Sequence, residues 1–202
     1  MSIQERRQRE REERGRRIVR TARELAEAEG WDAVTVRRLA ERIEYSQPVL
    51  YSHFAGREAI VTAVAVEGFA ELADALRQAR AGAGPAGPDG PELRGRIWAA
   101  VARAYTEFAD ANPALYAAMF SLATDLPFAR PEAPAPLKAA FGEIYDAVTP
   151  LAGGRDPGTL AEVAWSALHG VVTLNQAGRL AVGGQDDRLA LLIGLLAAPA
   201  PH

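Results

Sequence analysis

TVRRLAERIEYSQPVLYSHFAGR, residues 35–57, decides how the rest of this chain is read. Val36, Leu39, Ala40 and Ile43 recur at helical spacing, so its first part is a short helix with one buried face. Thr35 stands just before them, where its hydroxyl can cap the helix by accepting a backbone N–H bond. The chain then turns through Glu44 and Tyr45, and Ser46 offers a second cap. Gln47 and Pro48 follow in a first turn, where a missing N–H costs little. Leu50 and Phe54 point back to the core, which leaves Gln47, Pro48, Tyr51, Ser52 and His53 on or near the open face. Two short helices joined by a tight turn, the second with an exposed polar tip, match the geometry that a helix-turn-helix inserts into the major groove of DNA.

Charge is distributed as that geometry requires. The whole chain of 202 residues carries a net −3. Residues 1–57 hold 13 Arg against 10 Asp or Glu, a net of +3, so the remainder carries −6. The positive excess sits with the helix-turn-helix, where phosphate would be met. Its size is modest, so useful affinity calls for two copies acting together. There is no Cys, which removes disulfides and thiolate metal sites and fits a reducing cytoplasm. The N-terminus lacks a signal-peptide core, and apolar runs such as 189–198 are too short for a bilayer span of about 20 residues. The expectation is a cytoplasmic protein without membrane attachment.

Outward from the central stretch, residues 1–15 are Arg, Glu and Gln with almost no apolar positions. They read as a solvated tail or frayed helix, or as a basic arm that touches phosphates or the minor groove. Ile18, Ala22, Leu25 and Ala26 make a helix that Gly30 stops, and Trp31 and Val34 pack beneath the helix-turn-helix. A long helix is expected over 57–80, then a loop over 81–91. That loop contains Gly82-x-Gly84-x-x-Gly87, but no strand precedes it and Pro85 and Pro88 interrupt it, so it is no dinucleotide fingerprint. Further helices are expected over 92–111, 114–122, 137–148, 157–180 and 186–198. No stretch alternates with period two. The fold class is all-α: an N-terminal three-helix helix-turn-helix domain, a long helix and a C-terminal helical bundle, about nine helices in all.

Residues 16–62 resemble the DNA-binding domain of the tetracycline-repressor (TetR) family of bacterial transcriptional regulators. RRIVRTARELAEAEGWDAVTVRRLA resembles the family's first helix, Gly-aromatic link and second helix, and SQPVLYSHF its recognition helix with the Leu-Tyr-x-His-Phe signature. Arg57 stands where the family usually has Lys, and Ile60 opens the fourth helix. One departure concerns the turn. The family's Ala-Gly-Val-Ser is here Ile43-Glu44-Tyr45-Ser46, and Glu does not ease positive φ as Gly does. The turn is therefore expected to be tighter or more helical than average, and the tilt of the recognition helix does not follow from the sequence.

The resemblance implies site residues. Arg37 corresponds to a position that reaches a guanine edge, or else binds phosphate or pairs with Glu41. Gln47 matches a base-reading position and Pro48 one that touches a thymine methyl; Val49 could at most read a methyl group. Tyr51 and His53 resemble phosphate-clamping residues, Arg57 would hold phosphate, and Thr35 and Ser46 add phosphate contacts while capping. With Ser52 these make up the expected DNA-binding set.

NPALYAAMF and AWSALHGVVTLNQAGRL, with Trp165, His169 and Gly170 in a Trp-x-x-x-His-Gly helix, resemble a TetR-family regulatory domain. That implies a ligand-sensing and dimerisation domain over 63–202, whose last two helices form a homodimer's four-helix interface. Leu189, Leu192, Ile193, Leu195 and Leu196 make the terminal helix too apolar to face water alone. Trp98, Tyr105, Phe120, Tyr145, Trp165 and His169 are the candidate pocket for an unknown small molecule, with ordinary core packing as the alternative for each aromatic. His169, four residues after Trp165, serves a ligand or a buried carbonyl. Asn175, Gln176, Glu107 and Asp110 are further polar candidates, with solvated or helix-end roles as the default.

The expected partners are therefore a double-stranded DNA operator, a second copy of the chain and a small molecule that releases the DNA, with no cofactor and no metal. An enzyme is the main rival class. Only His53, His169 and His202 are available, without metal-ligand spacing, nucleophile elbow or paired carboxylates. A helical interaction module that has kept the fold without DNA binding is the other rival.

Overall fold

The computed structural model describes residues 2–84, 90–122, 126–128 and 130–198. Nine α-helices and two short 3-10 turns account for the regular structure, with no strand among the described residues. The all-α expectation holds. Residues 85–89 of the expected 81–91 loop, Gly87 among them, and also His202, lie outside the described residues.

Two compact units are present. The first comprises residues 1–68 and 112–130 and contains α1 (Ile3–Glu29), α2 (Val36–Ile43), α3 (Gln47–His53), the start of α4 (Arg57–Gly82) and α6 (Pro113–Phe120). Ile18, Ala22, Leu25, Val34, Leu39, Leu50, Ile60 and Val64 form its core. A buried Leu or Ile contributes roughly 1.5–3 kcal/mol, and these side chains hold α2 and α3 against α1. Gly30 ends α1 at φ 82°, a value only glycine adopts freely, and its N–H donates to Ala26 O at 2.8 Å. Thr35 caps α2 as expected, accepting from Arg38 N at 3.2 Å. Ser46 begins α3 by position, but its side chain makes no capping bond.

Residues 3–15 are neither tail nor frayed end. They continue α1 as helix, started by a reciprocal capping box in which Ser2 Oγ accepts from Glu5 N and Ser2 N donates to Glu5 Oε2. The turn after α2 also differs from expectation. Glu44 itself adopts the left-handed conformation, φ 57° and ψ 38°, that the family gives to Gly. Its N–H reaches Glu41 O and Tyr45 N reaches Ala40 O, so the helix is closed by backbone bonds and not tightened or prolonged.

Helix α6 packs with this unit, whereas the sequence division assigned everything beyond 62 to one domain. Polar bonds from α1 and the adjoining turn explain the difference. Glu27 accepts from Ala114 N and Leu115 N at 3.1 and 2.9 Å, capping α6 from another helix. Arg23 donates to Asn112 Oδ1, and Trp31 Nε1 donates to Ala114 O at 2.7 Å. Trp31 is buried, as expected. Gly68 of α4 lies so near α6 that a Cβ there would stand 2.7 Å from Met119 Sδ.

The second unit, residues 69–111 and 131–202, holds the rest of α4, α5 (Pro91–Ala111), α7 (Ala135–Val148), α8 (Pro157–Gln176) and α9 (Gln185–Ala197). Its core is Trp98, Val101, Tyr105, Ile144, Ala147, Leu160, Ala164, Leu168 and Val172. Glu143 is buried and takes one N–H from each of Arg77 and Arg80, at 3.0 and 2.8 Å, which satisfies its charge. Helix α8 stops at Gln176, short of the expected residue 180, because Gly178 turns left-handed and Arg179 N closes onto Leu174 O. Among the described residues, no helix is long and apolar enough to cross a membrane.

Candidate nucleic-acid interface

Burial of Leu39, Ala40 and Ile43 on α2 and of Leu50 on α3 turns the opposite faces outward. Thr35, Arg37, Ser46, Gln47, Pro48, Tyr51 and Ser52 are exposed, while Val49, His53, Phe54 and Arg57 are half-buried. Tyr51 is 54% exposed, so about half of an aromatic side chain is left to solvent on α3. Gln47 and Pro48 occupy the first turn of α3, the end a recognition helix offers to base edges.

The basic residues divide by what already holds them. Arg37 lies on the open face and donates through Nε to Glu41 Oε1 at 2.9 Å, so the expected alternative of an ion pair is realised in the free chain. The Glu41 hydrogen bond and charge hold its guanidinium above the usual arginine value. Both partners are largely exposed, so the pair is screened and exchangeable for a DNA contact. Arg38 is spent differently: its Nη2 meets both carboxylate oxygens of Glu29 and ties α2 to the end of α1.

Arg57 points inward. Its Nε donates to Val34 O and one Nη to Trp31 O, each at 2.9 Å. Two of its five N–H donors therefore fasten the start of α4 to the turn before α2, and those on Nη1 with the second on Nη2 remain for the expected phosphate. Ser52 donates its hydroxyl to Val49 O within its own helix, and its carbonyl accepts from Arg11 Nη2 at 2.9 Å. Burial, with Arg11 and Arg14 nearby, holds the His53 imidazole below its ordinary value. The involvement of α1 with α3 had no local signal in the sequence. Arg11 and Ser52 are 41 positions apart.

The candidate ligand residues fall into both units. Phe120 lies on α6 against Tyr116, ring centroids 4.7 Å apart, within the first unit. In the second, Trp165 Nε1 donates to Tyr105 Oη at 3.2 Å and the Trp165 ring meets Phe141 edge-on at 5.9 Å, so α5, α7 and α8 share one aromatic cluster. Trp98 is wholly buried, and its Nε1 has no hydrogen-bond partner. Tyr145 is partly exposed. His169 Nε2 lies 3.3 Å from the Thr173 hydroxyl, one turn along, and burial lowers its imidazole below the ordinary value. Asn175, Gln176 and Asp110 serve the fold: Gln185 links Asn175 to Asp110, and Gln176 donates to Ala109 O. Gln185 gave no signal by itself in the sequence. Among the described residues, no group of three or more His, Cys, Asp or Glu is placed to hold a metal ion.

Two family models match the chain: bacterial regulatory proteins of the tetR family over residues 18–64, and the tetracyclin repressor-like C-terminal domain over residues 98–196. The chain is 46% identical over 48 residues to the class C tetracycline repressor protein of Escherichia coli, a match covering 24% of this chain and 22% of that one. It is 29% identical over 164 residues to the helix-turn-helix transcriptional regulator Rv0681 of Mycobacterium tuberculosis, covering 80% of this chain and 69% of that protein. A solved structure from Rhodococcus sp. RHA1, a protein of unknown function, superposes with a TM-score of 0.69 at 25% identity, covering 91% of this chain and 93% of its own.

Proposed function

The chain belongs to the tetR family of bacterial regulatory proteins, a family of DNA-binding transcriptional regulators and not of enzymes, and from that premise we propose a ligand-released repressor that binds a palindromic operator as a homodimer. The observation that carries the DNA-reading part is the open face of α3, where Gln47, Pro48 and Tyr51 are exposed while Leu50 anchors the helix. Gln47 reads an adenine edge, Pro48 rests on a thymine methyl, and Arg37 leaves Glu41 for a guanine. Tyr51, His53, Thr35, Ser46 and Ser52 meet the phosphates, as does the free end of Arg57. The work is done where the DNA is, in the cytoplasm.

A second copy of the chain covers α8 and α9. Leu191 and Leu195 are 65% and 66% exposed, and Val163 and Leu174 are also open. Gly170 and Gly194 have nothing within 4 Å of a would-be Cβ, which leaves room for a partner helix to approach closely. The ligand occupies the second unit near Trp98, Tyr105, Tyr145, Trp165 and His169. Trp98 Nε1 supports that placement, since a buried donor without an acceptor is costly and an acceptor on the ligand would satisfy it. Phe120, packed in the first unit, is the weakest member of the set. Helix α4 runs through both units, so ligand binding that moves its distal part changes the separation of the two recognition helices. About 1–3 kcal/mol of such coupling is the usual range for an effector.

The test is selection of binding sites from a random duplex pool, followed by Gln47→Ala and Arg37→Ala variants on the recovered site. An inverted repeat is expected, and each variant relaxes preference at one symmetric pair of positions. A pool that yields no enriched sequence removes the DNA-reading assignment.

A further inference from the structure

Helix α1 continues for about four turns before it reaches its first buried residue, Ile18, and after an exposed Ile3 that stretch has no apolar face. Local interactions support it: the Ser2 box, an Arg6–Glu10 pair at 3.7 Å and a Gln8–Glu12 bond. None of these explains why it lies beside α3, where Arg11 fastens it to the Ser52 carbonyl. Between the two helices is a groove of roughly 700 Å³. Arg7, Arg11 and Arg14 line it from one side, and Val49, Ser52 and His53 from the other.

The three arginines follow a spacing of four and three, which puts them on one helix face. Glu10 also lines the groove, but its carboxylate is paired with Arg6. Glu5 and Glu12 border a different depression, on another side of the helix. Arg7 and Arg14 make no ion pair among the described residues, so their charge is uncompensated. The field is felt at His53, whose imidazole is disfavoured as a cation first by burial and then by Arg11 and Arg14. Val49, Ser52 and His53 stand beside the outward positions Gln47, Pro48 and Tyr51 on the same helix. When a recognition helix enters a major groove, the strand that flanks it is a sugar-phosphate backbone.

We propose that the N-terminal extension of α1 is a second wall of the DNA interface, with one phosphate strand of the operator seated between Arg7, Arg11 and Arg14 on α1 and Ser52 and His53 on α3. The proposal rests on the reading of α3 as the groove-entering helix. The extension reaches about 20 Å beyond Arg16 at 1.5 Å per residue, enough to follow several phosphates of one strand. It meets only the backbone, so it adds affinity and salt dependence without adding sequence preference.

The experiment compares the full chain with an Arg7→Ala/Arg14→Ala variant and an Arg7→Lys/Arg14→Lys variant; Arg11 is left in place because it holds Ser52. Fluorescence anisotropy with a labelled duplex from the random-pool selection gives log K against log salt, and circular dichroism checks helicity. Ala is the better helix former, so the extension stays folded. The Ala variant is expected to bind more weakly, with a slope shallower by about 0.9 for each phosphate it no longer neutralises, up to roughly four phosphates in a dimer. The Lys variant keeps the slope, and discrimination against single-base changes is the same in all three. An unchanged slope in the Ala variant overturns the proposal. A gain in affinity also overturns it, because the extension would then be masking α3. If the unsubstituted chain shows no sequence preference but its slope still depends on Arg7 and Arg14, the reading of α3 fails and the phosphate strand on α1 stands.

Discussion

Gly68 offers a test in which two opposing effects can be weighed. It lies in the body of α4, where glycine costs about 1 kcal/mol relative to alanine, so Gly68→Ala at an open position would stabilise by that amount. A Cβ there, however, would stand 2.7 Å from Met119 Sδ, 2.8 Å from Leu115 Cδ1 and 3.0 Å from Met119 Cγ. Comfortable separations are about 3.5–4.0 Å, so the neighbours must give by nearly 1 Å. Leu115 and Met119 are 0% and 1% exposed, which leaves them nowhere open to go. Overpacking of this kind costs about 1–3 kcal/mol, and the crowding wins. The expected net is a destabilisation of up to about 2 kcal/mol, read as a lowered urea midpoint. A Met119→Ala background removes two of those three contacts and opens room into which Leu115 can shift, so Gly68→Ala is expected to be less destabilising there than in the unchanged chain. A stabilising Gly68→Ala in the otherwise unchanged chain would refute the close approach of α4 and α6.

Four further outcomes follow from particular contacts. Glu44→Gly relieves a left-handed non-glycine residue and should stabilise by about 1 kcal/mol, seen as a melting temperature raised by a few degrees with operator preference unchanged. Arg57→Ala removes donors to Val34 O and Trp31 O, so its main effect is a loss of about 1–3 kcal/mol in thermal or denaturant stability, beyond any loss of DNA affinity. Glu41→Gln releases Arg37, and titration of the selected duplex should show tighter binding at low salt, most clearly on sites with guanine at the contacted position. His53 and His169 both have depressed folded values, so the unfolded chain binds more protons around pH 6.5. Stability is therefore full above that pH and declines as pH falls through it; His53→Gln/His169→Gln should flatten that decline in unfolding curves taken across the range.

What could be read from sequence was what is local. The α2–α3 pair is visible because Leu39, Ala40, Ile43 and Leu50 carry its periodicity and Thr35 its cap, and all four apolar residues are buried. The extension of α1 was illegible as helix because it has no apolar period; its structure comes from i,i+4 pairs and a bond to Ser52 far along the chain. The inward bonds of Arg57 were equally illegible, because its carbonyl partners lie 23 and 26 positions earlier. The same holds for α6, whose N-terminus is capped by Glu27 from 87 and 88 positions away. Glu44 misled for a different reason. Preference argues against a left-handed glutamate, yet the backbone closure and the buried Ile43 and Leu50 on either side determine the conformation there.

The stoichiometry and spacing of the complex test the account most directly. Sedimentation of the intact chain with its selected duplex, combined with hydroxyl-radical footprinting, reads both at once. Two chains per duplex are predicted, protecting half-sites whose centres are one helical turn, about 34–36 Å, or a multiple apart on one face of the DNA. A single chain bound to a single unrepeated site would contradict the paired presentation of α3.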